Sequence, residues 1–130
     1  MKKFLVLLVI LMLAITVYAG GGDDEGPSFT GKWKTNWGTE LIIELTQTGN
    51  NVQGQYNYTE NGVAVSGRIT GTFNRNTMTL TFRWAERLGG RTRGGRGKFI
   101  MNGDGTGFTG SWGNNNSDSN GGSWSGTRAQ

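Results

Sequence analysis

Residues 63–84 read VAVSGRITGTFNRNTMTLTFRW, and this stretch decides the fold class. Apolar residues and glycines occupy every second position on both sides of the turn sequence Asn74-Arg75-Asn76. The alternating positions are Val63, Val65, Gly67, Ile69, Gly71 and Phe73, and then Met78, Leu80, Phe82 and Trp84. A period of two is typical of β-strands with one buried and one solvated face. The stretch therefore predicts two antiparallel strands joined by a hairpin.

The same alternation extends in both directions and predicts eight strands, with no helical stretch. The other inward sets are Phe29, Gly31, Trp33; Thr39, Leu41, Ile43, Leu45; Val52, Gly54, Tyr56, Tyr58; Gly97, Phe99, Met101; Phe108, Gly110, Trp112; and Trp124, Gly126, Arg128. Short Gly- and Asn-rich connections separate them, as hairpin turns require. Eight short strands with one apolar face bury that face and remove both sheet edges by closing. We therefore predict an all-β, eight-stranded antiparallel up-and-down barrel.

The Gly-x-aromatic pattern recurs along these strands, for example as Gly54-Gln55-Tyr56 and Gly97-Lys98-Phe99. A glycine weakens a strand unless something needs the space that its side chain would fill. We interpret the pattern as structural, with each glycine leaving room for a large neighbouring side chain in a narrow barrel.

The start of the chain predicts export. Lys2 and Lys3 precede an apolar run over residues 4–17, and Val17-Tyr18-Ala19 supplies the small residues of a cleavage site. The run is shorter than the ~20 residues that span a bilayer. We therefore expect a cleaved signal peptide at 1–19, a flexible Gly-rich acidic leader at 20–27, and a single barrel domain at 28–130. The mature chain would have no transmembrane span and would be secreted or periplasmic, because the signal is of bacterial type.

Composition excludes several function classes. The 130 residues include neither Cys nor His, so there is no disulfide, no Cys/His zinc site and no His-based nucleophile system. Glu40 and Glu44 share the outward face of one predicted strand about 13 Å apart, too far for a glycosidase pair. Within the predicted barrel, the other acids, Glu60, Glu86, Asp104 and Asp118, are predicted in turns or loops. We expect a non-enzymatic protein without metal or cofactor.

The segments Gly31-Lys32-Trp33 and Trp124-Ser125-Gly126-Thr127-Arg128 resemble the first and last strands of the calycin barrels, which include lipocalins, fatty-acid-binding proteins and avidins. The resemblance implies a structural pair in which Trp33 packs against Arg128. The match is closest to avidin and streptavidin, because the segments at 52–56, 80–84 and 97–99 follow in the same order.

The avidin-like resemblance implies a pocket. It assigns ligand contacts to Tyr56 and Thr39, and ring walls to Trp84, Trp112 and Trp124. Two positions depart from the pattern: Thr35 stands where avidins have an Asn that binds the ureido group, and Tyr58 stands where they have a small hydroxyl residue. Tyr58 would share the pocket and occupy volume that biotin needs, so biotin itself is not the expected ligand.

The residues alone lead to a similar hypothesis. Rings with polar tips share the inward face: Trp37, Tyr56, Tyr58, Trp84, Trp112 and Trp124. Such an interior suits a small amphipathic ligand, and it equally suits a barrel filled by its own side chains. Both readings stay open at this point.

A second candidate site is the stretch 87–98, which we predict to be a flexible Gly-rich loop. It holds five basic residues and no acid: Arg87, Arg91, Arg93, Arg96 and Lys98. Arg-rich, Gly-rich segments bind polyanions, so the alternative function is a structural or surface-interaction module that attaches to anionic glycan, lipid or nucleic acid. A solvated hairpin loop is the plain alternative. The outward Ile42 and Ile100 leave a homo-oligomer open.

Overall fold

A computed structural model describes residues 26–38 and 40–129. The predicted signal peptide, leader residues 20–25 and Thr39 lie outside the described residues. The strands are β1 (Gly31–Thr35), β2 (Leu41–Thr48), β3 (Asn51–Glu60), β4 (Val63–Asn74), β5 (Thr79–Leu88), β6 (Arg91–Met101), β7 (Gly107–Asn114), β8 (Gly122–Ser123) and β9 (Gly126–Arg128). No helix occurs in these ranges.

The strands form a closed antiparallel barrel of eight positions. Each strand from β1 to β7 pairs with the next one along the chain. The ring closes through β9, which pairs with β7 on one side and with β1 on the other. The short β8 precedes β9 at the same position in the barrel and pairs with Ser111 and Trp112, towards the C-terminal end of β7. Closure removes the unpaired edges that an open sheet would expose, and the predicted up-and-down barrel is confirmed.

One end of the barrel is closed by aromatic packing. Phe29, fully buried just before β1, lies 5.4 Å from Phe73 and 5.6 Å from Trp33, measured between ring centroids. The Trp33 indole donates a hydrogen bond of 2.9 Å to the Phe29 carbonyl oxygen. Phe99 and Phe108 stack beneath this group with centroids 4.0 Å apart. This region is the closed end.

Arg128 caps the closed end from outside. Its Cζ lies 4.2 Å from the Trp33 ring centroid, the contact implied by the resemblance to calycins. The guanidinium donates to the carbonyl oxygens of Ser28, Thr30 and Gly105 at 2.6, 2.8 and 2.9 Å. A single cation therefore ties the entering chain, the last strand and the turn before β7 together.

Two expectations about strands need correction. Residues 87–98 form no loop: β5 runs to Leu88, β6 starts at Arg91, and only Gly89 and Gly90 connect them. The ladder from Thr79 paired with Ile100 to Leu88 paired with Arg91 holds this segment extended, because backbone pairing satisfies groups that a Gly-rich loop would leave to water. The last strand, predicted from Trp124 to Arg128, begins only at Gly126, because Trp124 and Ser125 lie between β8 and β9.

Candidate functional site

The opposite end of the barrel, where β3 ends at Glu60, β5 ends at Leu88 and β6 begins at Arg91, contains a cavity of about 150 Å³. We call it the open end, because its rim residues Glu60 and Arg93 each keep 36 % of the side chain exposed. Five rings and four polar side chains line the cavity: Trp37, Tyr56, Trp84, Trp112, Trp124, Glu60, Glu86, Arg93 and Asn114.

The Trp side chains stand at right angles to one another. Trp112 is the middle ring, with its centroid 5.0 Å from that of Trp37 and 5.7 Å from that of Trp84, at interplanar angles of 83° and 80°. The Trp84 indole is held by a 3.0 Å hydrogen bond to the Gly113 carbonyl oxygen. Edge-to-face contacts and this hydrogen bond fix the orientation of the rings, so the cavity has a defined shape.

A carboxylate lies at the base of the cavity. Glu86 is only 7 % exposed, and its side chain accepts three hydrogen bonds. Tyr56 Oη donates to Oε2 at 2.6 Å, while Tyr58 Oη and Arg93 Nε donate to Oε1 at 3.1 and 2.7 Å. Buried charges persist when they are paired and hydrogen-bonded in this way.

Tyr56 reaches Glu86 because a glycine lies between them. In the sheet register, Tyr56 on β3 pairs with Gly67 on β4, and Gly67 pairs with Glu86 on β5. The phenol ring crosses β4 flat over Gly67, where a Cβ atom would overlap the ring carbons. The same relation joins Gly97 to the Phe82 ring. A small residue therefore lies beside a large ring at both positions; Gly97 belongs to the Gly-x-aromatic pattern, whereas Gly67 precedes Ile69 and lies outside it.

Arg93 links the buried carboxylate to the rim. Its Nη2 donates to Glu60 Oε1 at 2.7 Å and to Tyr58 Oη at 2.9 Å, and its Nη1 donates to Glu60 Oε2 at 3.4 Å. The two carboxylates and the hydrogen bonds that they accept raise the pKa of Arg93, while hydrogen bonding to Arg93 lowers the pKa of Glu60. Two acids share one guanidinium, so the lining carries one net negative charge.

Both tyrosines of the network stay neutral at ordinary pH. Burial raises the pKa of Tyr56, and its hydrogen bond to the Glu86 carboxylate raises it further. Burial and the charge of Glu86 likewise raise the pKa of Tyr58. Each hydroxyl keeps its proton and acts as a donor to the carboxylate. The two rings stack at 6.2 Å with 13° between their planes.

Four residues predicted as ligand contacts meet at the cavity: Tyr56, Trp84, Trp112 and Trp124. Tyr58 supports the network from beside Tyr56 and does not line the cavity. Thr39 lies outside the described residues. Thr35 is buried and donates to the Leu41 carbonyl oxygen at 2.8 Å, so its hydroxyl is already engaged.

Sequence reasoning missed the polar part of the site. The sequence predicted Glu86 in a turn or loop and Arg93 in a flexible loop as a polyanion-binding residue, whereas Glu86 lies on β5 and Arg93 on β6. The signal was present, because Glu86 has the parity of Phe82 and Trp84, and Arg93 has the parity of Gly97 and Phe99. Continuing the alternation one step beyond Trp84 and two steps before Gly97 would have predicted both side chains to face inward.

One buried donor at the site has no partner. Trp124 is 4 % exposed, and its Nε1 is the one buried side-chain polar atom in residues 26–38 and 40–129 that lacks a hydrogen bond. Its ring meets Tyr56, Phe82 and Phe99 edge-on, at centroid distances from 5.2 to 6.0 Å. An unsatisfied buried N–H costs free energy, so the missing partner of this donor needs an explanation.

In the described part of the chain, no group of three or more acids is placed to hold a metal ion. No helix within it has the length and apolar character needed to cross a membrane. The fold and site thus define a closed eight-stranded antiparallel barrel, consistent with a calycin-like barrel, with a ring-lined cavity at one end. Comparison of the chain with protein-family models, curated proteins and solved structures finds no match.

Proposed function

We propose that this protein is a non-enzymatic small-ligand-binding barrel that takes its ligand into the cavity at the open end. The observation that carries the proposal is the difference between the two ends. Stacked phenyl rings fill the closed end, whereas at the open end five rings surround about 150 Å³ that no side chain fills. A barrel of eight strands can be filled entirely by its own side chains, so the unfilled end is the exception that a ligand explains.

The volume limits the size of the ligand. An apolar cavity of about 150 Å³ accommodates a molecule the size of benzene, and drug-sized ligands occupy at least about 300 Å³. We therefore propose a compact ligand, or the compact head of a longer one whose remainder extends past Glu60 and Arg93 into solvent.

The barrel is avidin-like in this proposal, and its ligand is not biotin. Tyr56, Trp84, Trp112 and Trp124 supply the wall that the resemblance implies. The Tyr58 phenol packs against Tyr56 beside the cavity, and the Thr35 hydroxyl is bound to a backbone carbonyl. Neither residue offers the small polar contact expected for a fused bicyclic ligand, and the cavity is small for one.

The charges favour a neutral or cationic ligand over an anion. Arg93 directs its N–H groups to Glu60, Glu86 and Tyr58, which leaves little capacity to bind a carboxylate. Indole faces attract cations, and the net negative lining adds to that attraction. A small hydroxyl or amine-bearing molecule with a branched apolar body fits both conditions.

Three probes of nearly equal shape test the proposal: choline, the neutral alcohol in which carbon replaces its nitrogen, and the carboxylate of the same branched carbon skeleton. Titration followed by intrinsic Trp fluorescence reports occupancy directly, because Trp84 and Trp112 line the cavity. We expect saturable changes with choline or the neutral alcohol and none with the carboxylate. Failure of all three probes would contradict the proposal.

A blocking variant distinguishes cavity binding from surface binding. Asn114 faces the cavity from β7, so Asn114→Phe places a ring in the mouth and should abolish the response. Thr109→Phe makes a change of the same kind on the exposed outer face of β7 and should leave it unaltered. Equal responses in the two variants would place the probes elsewhere and overturn the assignment.

We further propose that residues 1–19 direct export and that the barrel acts outside the cytoplasm. The support is the sequence pattern of two lysines, an apolar run and a small-residue cleavage site. Mass spectrometry of the exported chain should give a start at Gly20. A retained Met1 in the mature protein would contradict this assignment.

A further inference from the structure

The outer wall of β4, β5 and β6 is cationic, and this surface is independent of the cavity. Its side chains point outward on consecutive strands and include no acid. We call it the basic wall, defined by Arg68 on β4, Arg83 and Arg87 on β5, and Arg96 and Lys98 on β6. These are five of the 13 basic residues in the chain, gathered on three of the eight strand positions.

Two of these arginines oppose each other. Arg83 and Arg96 form a direct cross-strand pair between β5 and β6. Residues paired in this way have Cα atoms only about 4.5–5.5 Å apart, and like charges placed there destabilise a sheet. Arg68 lies on the far side of β5, opposite Ala85 and diagonal to Arg83. The fold thus places positive charges close together on this wall, although their mutual repulsion destabilises the sheet there.

The charge is not neutralised within the described residues. None of the five basic wall residues has a carboxylate partner within ion-pair distance there, in contrast to Lys34 with Glu40 at 3.4 Å. The outward acid nearest to Arg68 in the register is Glu44 on β2, with Gln55 of β3 between the two. An external anion is therefore the available source of compensation.

The rest of the wall indicates which anion. Hydroxyl residues fill most of the other outward positions: Ser66, Thr70, Thr72, Thr79, Thr81 and Thr92. No aromatic side chain faces outward on these strands, since Phe73, Phe82 and Trp84 all point into the core. Guanidinium groups interspersed with hydroxyls match a polymer whose repeating oxyanions alternate with sugar hydroxyls.

From this match we propose that the basic wall binds an anionic polysaccharide bearing sulfate or carboxylate groups. Single-stranded nucleic acid is less suited, because it needs rings for base stacking that the wall lacks. A lipid surface is less suited, because insertion needs an apolar face, and Ile100 is the single large apolar residue outward on β4 to β6 near the basic side chains.

Heparin and alginate are the probes, the first carrying both sulfate and carboxylate groups and the second carboxylate alone. Binding to the purified barrel is measured by isothermal titration at several salt concentrations. With about five ionic contacts, we expect the affinity to fall roughly 100- to 500-fold between about 50 and 200 mM salt, as counterion release requires. An affinity that does not change with salt concentration would overturn the proposal.

A pair of matched double variants tests the location. Arg83→Gln with Arg96→Gln removes two charges from the centre of the basic wall and should weaken heparin binding at least about tenfold. Lys32→Gln with Lys34→Gln removes the same charge from β1, across the barrel, and should change it less than about twofold. Equal losses in both would show a response to net charge alone and would overturn the assigned surface.

Two further probes test the class of partner. Oligothymidylate and vesicles containing anionic lipid are titrated under the same conditions, with concentrations matched by charge. Weaker binding of both than of the polysaccharides supports the proposal. Tighter binding of either one would assign the wall to nucleic acid or to a membrane surface and would contradict the polysaccharide. None of these outcomes bears on binding of the small probes in the cavity, so the proposals for the cavity and for the basic wall are tested independently.

Discussion

Gly67→Ala tests whether Tyr56 crosses β4 as the structure shows. A Cβ at position 67 would lie against the bound phenol ring, overlapping three of its carbons. Trp124 meets the ring edge-on at 5.8 Å on another side, and a shift into the neighbouring cavity would draw the hydroxyl away from Glu86. The ring must therefore leave, or the strands must separate.

The expected loss of stability combines two effects. Overpacking a filled site costs about 1–3 kcal/mol. Displacement of Tyr56 also breaks its 2.6 Å hydrogen bond to the Glu86 carboxylate, and hydrogen bonds to charged groups contribute about 1.5–3 kcal/mol. The effects overlap in part, so we expect a loss of about 3–5 kcal/mol, a large share of the about 5–15 kcal/mol that stabilises a typical domain.

Urea unfolding followed by Trp fluorescence measures this loss. Gly103→Ala is the matched control, because its Cβ would meet no atom within 4 Å, and we expect a change below about 0.5 kcal/mol. A second background isolates the cause: after Tyr56→Leu, which removes the ring from the space above residue 67, Gly67→Ala should cost less than about 1 kcal/mol. A loss of under about 1 kcal/mol in the wild-type background would refute the reasoning.

Three other predictions concern stability. Arg128→Met removes three hydrogen bonds to carbonyl oxygens and the contact with the Trp33 ring, so it should lower the free energy of unfolding by about 2–3 kcal/mol in the same urea assay. Arg87→Met on the outer wall is the control and should lower it by less than about 0.5 kcal/mol. Arg83→Gln should instead stabilise the free barrel by about 0.2–0.5 kcal/mol, and the gain should vanish in high salt as charges are screened. The pKa of Glu60 is lowered below its ordinary 4.5 in the folded state, so its carboxylate stabilises the fold above about pH 4.5 and loses this effect as the pH falls through the lowered pKa. Glu60→Gln should flatten that acidic part of a profile of melting temperature against pH.

The raised pKa of Tyr56 affects the alkaline side of the same profile. Its contribution to stability is complete below the ordinary pKa of 10.0 and declines above it, because the unfolded chain loses the proton first. Tyr56→Phe should weaken that decline. An unchanged alkaline slope in this variant would show that Tyr56 ionises equally in both states.

Much of the barrel could be predicted because alternation is a local property. Val65, Ile69 and Phe73 indicate an inward face within a single strand, and the Asn- and Gly-rich turns indicate which strands are neighbours in the sheet. The prediction failed at residues 87–98 because local composition there favours a loop. Backbone pairing over the ladder from β5 to β6 outweighs that preference, and pairing is decided by strands that composition does not reveal.

The candidate site divides in the same way. The inward rings Trp84 and Trp112 followed from parity, since every second residue of a strand faces one side. The Tyr56–Gly67–Glu86 alignment did not, because it depends on the register of three strands and on the absence of one Cβ. The approach of Arg93 to Glu60 likewise joins side chains that are 33 residues apart.

The sequence by itself therefore determined the fold class, the inward face of each strand and a ring-rich interior, because these depend on periodicity and on turn residues near one another in the chain. Only the tertiary structure decided which end of the barrel is filled, which acids are buried and which cations meet on the outer wall. Those features depend on distances between strands, and closure of the barrel sets those distances.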